Sequence, residues 1–208
     1  LDFDPDILIH MAAQPLVRKS YRDPLETFNT NVIGTANVLE VAKHCKNVKA
    51  IINVTTDKCY ENKELANSFK EDDPLGGHDP YSASKACAEL VSSAFKNSYL
   101  KELNIGIATV RAGNVIGGGD WAEDRLVPDI LRTIASNSDM CIRNPDATRP
   151  WQHVLEPLAG YILLAENLYN NPLKYSSAWN FGPEEGDIKP VSWIADQILK
   201  NFPRSNWI

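Results

Sequence analysis

Short apolar runs alternate with longer stretches of helical period along this chain, and this alternation limits the folds that it can adopt. Residues 6–10, 48–54 and 105–111 are apolar runs of strand length. Between the first two, Asp23-Pro24-Leu25-Glu26 combines a capping residue, a first-turn proline and an acid three positions after the cap, which predicts a helix to about His44. The alternation predicts an α/β fold in which helices cover a doubly wound parallel sheet.

The second half of the chain is less regular. Gly117, Gly118 and Gly119 interrupt the alternation. After them, periodicity predicts helices near residues 126–136, 154–170 and 192–201 and a short strand near 179–181. We therefore expect a boundary close to residue 113, with a smaller lobe formed mainly by residues 114–208.

Composition excludes several classes of protein. The chain has 208 residues, of which 43% are hydrophobic, and its longest apolar stretches are far shorter than the roughly 20 residues of a membrane-spanning helix. Its formal charge of −6 argues against nucleic-acid binding, which requires a basic face. The four cysteines lack the spacing of a zinc site and the density of a disulfide scaffold. We expect a cytoplasmic protein with reduced cysteines, no metal site and no membrane partner.

Tyr81 and Lys85 form a candidate acid/base pair. Asp79-Pro80 precedes them as an N-cap and first-turn proline, so a helix is expected to begin there. Residues four apart share a helix face, and a neighbouring ammonium favours the phenolate of a tyrosine. Tyr81 could then accept a proton from an alcohol. The same spacing also fits an ordinary surface pair.

Thr55, Thr56, Asp57 and Lys58 follow directly on the apolar run at residues 48–54. In open α/β sheets, ligands bind at the carboxyl ends of the strands. These four residues are therefore expected at the end of the sheet where chemistry takes place.

Several motifs occur in a fixed order. They are His10-Met11-Ala12-Ala13-Gln14 after a strand, Asn31-Val32-Ile33-Gly34-Thr35 in a helix, Thr56-Asp57, Tyr81-x-x-x-Lys85 and Arg111-x-x-Asn114. In this order they resemble the extended short-chain dehydrogenases/reductases, and among them the nucleotide-sugar 4,6-dehydratases. The dTDP-glucose and GDP-mannose members carry Glu at the position of Lys58. With Lys58 at this position, and in residues 117–122 and 147–154, the sequence most resembles the branch of the family that acts on CDP-glucose.

The resemblance implies a Rossmann-like fold. Residues 1–113 would be the remainder of an NAD-binding Rossmann domain, and residues 114–208 mainly a substrate-binding lobe with some segments returning to that domain. The sequence contains no glycine-rich turn of the dinucleotide-binding type between a first strand and a helix. We therefore expect a fragment that lacks its first βαβ half and is also cut after Trp207-Ile208.

The resemblance also implies a reaction and roles within it. Tyr81, assisted by Lys85, would take the proton of the sugar C4 hydroxyl during oxidation by NAD, and Thr56 would orient that hydroxyl. Lys58 would remove the C5 proton and Asp57 would protonate the leaving C6 hydroxyl. These roles require a neutral Lys58 amine and a protonated Asp57 carboxyl. The alternative for Lys58 is that it only positions the substrate or a water molecule.

Binding roles follow from the same resemblance. The residues implied for NAD are Ala12, Ala13, Gln14, Asn31, Thr55, Tyr81, Lys85 and Arg111, although Arg111 could equally be a buried structural cation. The residues implied for the nucleotide-sugar substrate are Asn114, Arg125, Leu126, Arg149 and Trp151. Guanidinium groups suit a pyrophosphate because they bind paired phosphate oxygens.

Other functions remain open at this stage. An epimerase or reductase of the same superfamily would use Tyr81 and Lys85 without needing Asp57 and Lys58 for elimination. A non-catalytic nucleotide-binding fragment is the alternative from another class. The resemblance further implies a homodimer or homotetramer that pairs through the helices near residues 28–44 and 81–100.

Overall fold

The computed structural model describes residues 3–61, 68–202 and 207–208. The strands in this part of the chain are β1 (Ile7–His10), β2 (Ala50–Val54), β3 (Gly106–Ala112), β4 (Asn114–Ile116), β5 (Thr148–His153), β6 (Ala178–Phe181) and β7 (Ile188–Pro190). Its α-helices are α1 (Val17–Arg22), α2 (Pro24–Phe28), α3 (Gly34–Ala42), α4 (Pro80–Phe95), α5 (Leu126–Ser136), α6 (Leu155–Asn170), α7 (Pro172–Tyr175) and α8 (Val191–Leu199).

The main sheet is parallel, with strand order β1-β2-β3-β6. Alternate residues of a strand point to opposite faces of a sheet. Accordingly Ala50 and Ile52 pack with Leu164 and Leu168 of α6, whereas Ile51 packs in a second cluster with Leu39 of α3. Helices therefore cover both faces, and the predicted doubly wound α/β fold is confirmed.

The long helix predicted from Asp23 runs without a break from Pro24 to Ala42, with a π-helical turn inside it. Asp23 caps α2, and its carboxylate accepts a hydrogen bond from the Glu26 amide at 3.0 Å. A π-helical turn at Asn29–Ile33 then connects α2 to α3, and a similar turn at Lys96–Leu100 extends α4. Both long helices begin where their capping residues predict.

The chain divides into two compact units. The first comprises Leu1–Ala112 and Leu158–Phe181, and the second comprises Gly113–Pro157 and Gly182–Ile208. The second unit contains a separate sheet of order β4-β5-β7 and a core in which Ile130, Ile142 and Ala195 are buried. None of its three strands was predicted, because β4 and β7 have only three residues each and β5 is mostly polar.

Within the described residues, no helix combines the length and the apolar character that crossing a membrane requires.

Candidate active site

The carboxyl end of β2 places the Thr-Asp-Lys motif at the edge of the sheet. Thr56 is buried and caps a short 3₁₀ helix, Asp57–Cys59, by accepting a hydrogen bond from the Lys58 amide at 3.4 Å. The Thr56 hydroxyl also donates to Asp57 Oδ1 at 3.2 Å. Asp57 is half-buried and Lys58 is exposed. The motif therefore presents a threonine, a carboxyl and an amine in one short turn.

Helix α4 brings Tyr81 and Lys85 to the same edge. Asp79 caps the helix and Pro80 occupies its first turn. Tyr81 and Lys85 are 8% and 6% exposed, which excludes the ordinary surface pair that the spacing alone allowed. Lys85 Nζ donates to the carbonyl oxygen of Val54 at 3.0 Å. Since Val54 immediately precedes Thr55, this bond joins the Tyr81 helix to the start of the Thr-Asp-Lys segment.

The electrostatics of Lys85 reflect its position. Burial lowers the pKa of Lys85 to about 8, and the Glu89 carboxylate and Cys59 oppose this change. His10, the last residue of β1, has its pKa lowered by burial and by the positive charge of Lys85. The ammonium of Lys85 can therefore lose its proton much more readily than that of an ordinary lysine.

The loop after β1 is tied to the Tyr81 helix by Asn31. The amide nitrogen of Gln14 donates to Asn31 Oδ1 at 2.8 Å, and Asn31 Nδ2 donates to the Gln14 carbonyl oxygen at 3.1 Å. Asn31 Nδ2 also donates to the Ser84 hydroxyl at 2.8 Å. In the same loop Ala12 is exposed and Ala13 is half-buried. Asn31 thus holds the loop and the helix together, and the small alanines leave room for a flat ligand.

Arg111 lies in a buried cluster. Its guanidinium donates to both oxygens of the Glu89 carboxylate at 2.9 and 2.8 Å, to the Tyr60 hydroxyl at 2.7 Å and to the Glu71 carbonyl oxygen at 3.0 Å. Arg111 is only 4% exposed. These contacts favour the structural cation over a cofactor ligand, the two interpretations that the sequence left open.

Glu89 and Ser20 are site residues that the sequence analysis missed. Glu89 lies one turn beyond Lys85 on α4, and its carboxylate also accepts a hydrogen bond from the Thr55 hydroxyl at 2.5 Å. The Ser20 hydroxyl accepts a hydrogen bond from the Tyr81 amide at 3.1 Å. The spacing of Tyr81, Lys85 and Glu89, each four residues apart, was the available signal, because it puts a carboxylate on the buried helix face.

The remaining predicted residues lie in the second unit. Asn114 of β4 is the register partner of Trp151 in β5, and Arg149 lies two residues before Trp151, on the same face of the strand. Arg149 is exposed, and Trp151 Nε1 donates to the Lys189 carbonyl oxygen at 3.0 Å. Arg125 precedes α5, whose first residue is Leu126, and forms a 3.3 Å ion pair with Asp120. The structure thus groups Asn114, Arg149 and Trp151 on one small sheet, while Arg125 and Leu126 lie at the start of a helix.

Comparison with known proteins adds an independent observation. A family model described as GDP-mannose 4,6 dehydratase matches residues 1–176. A CDP-glucose 4,6-dehydratase of Salmonella typhimurium is 56% identical over 203 residues, which cover 95% of this chain and 56% of the relative. The human dTDP-D-glucose 4,6-dehydratase is 34% identical over 137 residues, covering 66% of this chain and 37% of that protein. The chain thus spans little more than half the length of the first relative and less of the second.

Solved structures share the fold. A dTDP-glucose 4,6-dehydratase from Streptomyces venezuelae, DesIV, solved as a double mutant with NAD bound, superposes with a TM-score of 0.80 at 21% identity, covering 98% of this chain and 60% of that one. A UDP-glucuronic acid 4-epimerase from Bacillus cereus gives a TM-score of 0.83 at 21% identity, covering 98% and 62%. Because a dehydratase and an epimerase fit equally well, the fold alone does not distinguish the two reactions.

Proposed function

The chain belongs to the GDP-mannose 4,6-dehydratase family, and from this membership we propose that it acts as an NAD-dependent lyase that converts CDP-glucose to CDP-4-keto-6-deoxyglucose. The similarity to a CDP-glucose 4,6-dehydratase along 95% of the chain supports the choice of substrate. The observation that carries the proposed chemistry is the hydrogen bond from Lys85 to Val54, since it joins the Tyr81 helix to the segment that carries Thr56, Asp57 and Lys58.

In the oxidation stage, Tyr81 accepts the proton of the sugar C4 hydroxyl, and Thr56 orients that hydroxyl. A Lys85 ammonium close to the ring would favour the phenolate form of Tyr81. Asn31 and Ser20 keep the helix in place, because Asn31 binds Ser84 and Ser20 binds the Tyr81 amide. Several buried polar groups therefore hold this base in position.

In the elimination stage, water leaves across C5 and C6. Lys58 removes the C5 proton, which the C4 ketone has made acidic, and Asp57 protonates the departing C6 hydroxyl. Asp57 and Lys58 are adjacent in the 3₁₀ turn, with the exposed amine next to the half-buried carboxyl. An epimerase would have no use for this second acid/base pair.

The cofactor would lie along the loop after β1. Ala12, Ala13 and Gln14 provide backbone that a flat ring can approach, and Asn31 holds the backbone of Gln14 in place. Thr55, Tyr81 and Lys85 complete the proposed set. When bound, NAD would accept hydride from C4 and return it at C6. The half-buried Ala13 and the exposed Ala12 fit such a ligand, whereas the Arg111 donors described above are engaged within the protein.

The substrate would be held by the second unit. Arg125 and Arg149 provide positive charge for the pyrophosphate, and the exposure of Arg149 is consistent with this use. Asn114, Leu126 and Trp151 would form the rest of the nucleotide site. These assignments give residues 113–157 and 182–208 the role of a substrate-binding lobe.

We further propose a cytoplasmic homodimer or homotetramer. The helices that would pair expose apolar side chains, with Ile33 53% and Leu90 60% exposed. Apolar groups on the faces of two neighbouring helices are typical of an association surface.

The test is turnover of CDP-glucose by the full-length gene product, with mass spectrometry detecting the loss of water. We expect a 4-keto-6-deoxy product from CDP-glucose and much slower turnover of dTDP-glucose. Lys58→Ala should abolish exchange of the C5 proton of the keto intermediate with solvent. Equal turnover of both nucleotides would contradict the substrate, an epimerised product without water loss would contradict the reaction, and unchanged exchange would contradict the role of Lys58.

A further inference from the structure

Glu89 is a buried carboxylate to which the proposed reaction assigns no role. It is 5% exposed and accepts hydrogen bonds from the hydroxyls of Thr55 and Thr109 at 2.5 and 2.7 Å. Arg111 donates to both of its oxygens. A buried charge is costly unless it is paired and hydrogen-bonded, and these four bonds meet that requirement. Both oxygens are thus committed, and each of them binds one threonine and the guanidinium.

These bonds connect the two segments of the candidate site. Glu89 is on α4, one turn after Lys85, while Thr55 is the residue after β2 and immediately precedes Thr56, Asp57 and Lys58. Lys85 binds the carbonyl oxygen of Val54 and Glu89 binds the side chain of Thr55. Consecutive turns of one helix therefore hold consecutive residues at the strand end.

The other bonds of Glu89 are to β3. Thr109 and Arg111 are alternate residues of that strand, so their side chains point to the same face of the sheet. They bind the carboxylate from β3, whereas Thr55 binds it from the segment that follows β2. Thr55 is therefore the member of the cluster through which Glu89 can affect the Thr-Asp-Lys segment.

We propose that Glu89 is a positioning residue, which through Thr55 fixes residues 55–58 relative to the helix that carries Tyr81 and Lys85. This inference rests on the proposed function, because the alignment matters for catalysis only if both segments act on one sugar. A misplacement of reacting groups by about 1 Å can cost on the order of 100-fold in rate, so an anchor at Thr55 would have a large effect on turnover.

A purely structural interpretation is that Glu89 only neutralises Arg111. The two threonines separate these interpretations. Thr55 and Thr109 are both 7% exposed, both donate to the same carboxylate, and only Thr55 belongs to the segment of the candidate site. The Thr55 hydroxyl also lies 3.2 Å from the Val110 carbonyl oxygen, a contact that a Glu89 background variant leaves in place. Replacing either by valine removes one hydroxyl and leaves the Glu89–Arg111 ion pair in place.

The experiment compares Thr55→Val with Thr109→Val in the full-length gene product. For Thr55→Val we expect kcat for CDP-glucose to fall about tenfold or more, while KM changes by less than about threefold. This pattern is expected when the catalytic groups lose their alignment but the substrate still binds. Thr109→Val should leave kcat within about twofold of wild type. Equal losses of kcat in the two variants would overturn the proposal.

A double-mutant cycle excludes a direct contact of Thr55 with the cofactor as the cause. If Thr55 acts through Glu89, then Thr55→Val in a Glu89→Gln background should reduce kcat less than it does in the wild-type protein. Full additivity of the two losses would show that Thr55 acts independently, which also overturns the proposal.

Hydrogen exchange gives a readout that does not depend on substrate. Exchange at the amides of Asp57 and Lys58 should accelerate about tenfold in Thr55→Val and remain at the wild-type rate in Thr109→Val. Unchanged exchange in Thr55→Val would overturn the proposal. If wild type does not convert CDP-glucose, the proposed function fails while this measurement still decides whether Glu89 positions the segment.

Discussion

Lys85 is held where burial opposes its charge. The side chain is 6% exposed, and its ammonium donates to the Val54 carbonyl oxygen. Glu89 from its own helix and Cys59 from the 3₁₀ turn act on its pKa, and Lys85 in turn lowers the pKa of His10 in β1. Glu89 and Cys59 raise the pKa, but burial is the larger effect and lowers it to about 8. The ammonium therefore persists near neutral pH at a cost in folding stability.

That cost predicts a pH dependence of stability. The unfolded chain keeps the Lys85 proton up to a pH near 10.5, whereas the folded protein releases it near 8. In this window the unfolded state binds more protons, so the free energy of unfolding should rise with pH, by up to roughly 3 kcal/mol from this group. Urea denaturation at several pH values measures the slope.

Lys85→Met is the matched control for this prediction. The variant keeps an unbranched side chain of similar length but has no group that titrates, so the rise in the free energy of unfolding between pH 8 and 10.5 should be smaller than in wild type. The same slope in both proteins would mean that Lys85 titrates at its ordinary pKa in the folded protein.

Burial favours the neutral form of Cys59, as it does for Lys85. Its side chain is fully buried, and burial raises the pKa of the thiol to about 12. A thiol is reactive as the thiolate. Cys59 therefore acts as a small apolar residue of the 3₁₀ turn, packed against Ala86 of α4, rather than as a nucleophile.

At the scale of elements, the start of α4 determines where Tyr81 lies. Asp79 Oδ1 accepts a hydrogen bond from the Ser82 amide at 3.0 Å, and Asp79 Oδ2 accepts one from the Ser82 hydroxyl at 2.6 Å. Tyr81 occupies the first turn of the helix, directly after Pro80. A loss of the cap would therefore loosen the turn that carries the proposed base.

Asp79→Ala should lower the free energy of unfolding by about 1 kcal/mol, because the Ser82 amide in the first turn loses its acceptor. Asp79→Asn keeps an oxygen in the same place and should differ from wild type by only a few tenths of a kcal/mol. Urea denaturation of the three proteins at one pH provides the comparison. A loss in the asparagine variant as large as in the alanine variant would show that the charge, rather than the cap, stabilises the helix.

At the scale of the whole molecule, α6 contributes both to the core of the first unit and to the surface. Leu168 is fully buried and packs with Ala50, Ile52 and Ala108 of the sheet. Leu163, on the same helix, is 61% exposed. Two identical substitutions on one helix can therefore be compared in opposite environments.

Leu168→Ala should lower the free energy of unfolding by about 2–5 kcal/mol, since the cavity adds to the lost burial. Leu163→Ala should change it by less than about 0.5 kcal/mol. Hydrogen exchange at the amides of β2 and β3 measures the opening free energy of this unit. Similar changes in the two variants would contradict the described packing of α6.

The sequence predicts the four strands of the parallel sheet, near residues 6–10, 48–54, 105–111 and 179–181, and the starts of α2 and α4. These features follow from local physics, because strand burial leaves a continuous apolar run and a helix start needs a capping group nearby in sequence. The position of Thr56, Asp57 and Lys58 at a strand end followed from the same pattern. The three strands of the second unit carry no such pattern and were not predicted.

Which polar groups contact one another depends on the packing of the folded chain. Glu89 is 34 residues from Thr55 and 22 from Arg111, and Asn31 is 53 residues from Ser84. Hydrogen bonds over such separations depend on how strands and helices pack, and they leave no periodic signal in the sequence. The amino-acid sequence was thus enough to identify the chemical groups of the candidate site. Packing determined the buried hydrogen-bond network around them, because each buried polar group requires a partner.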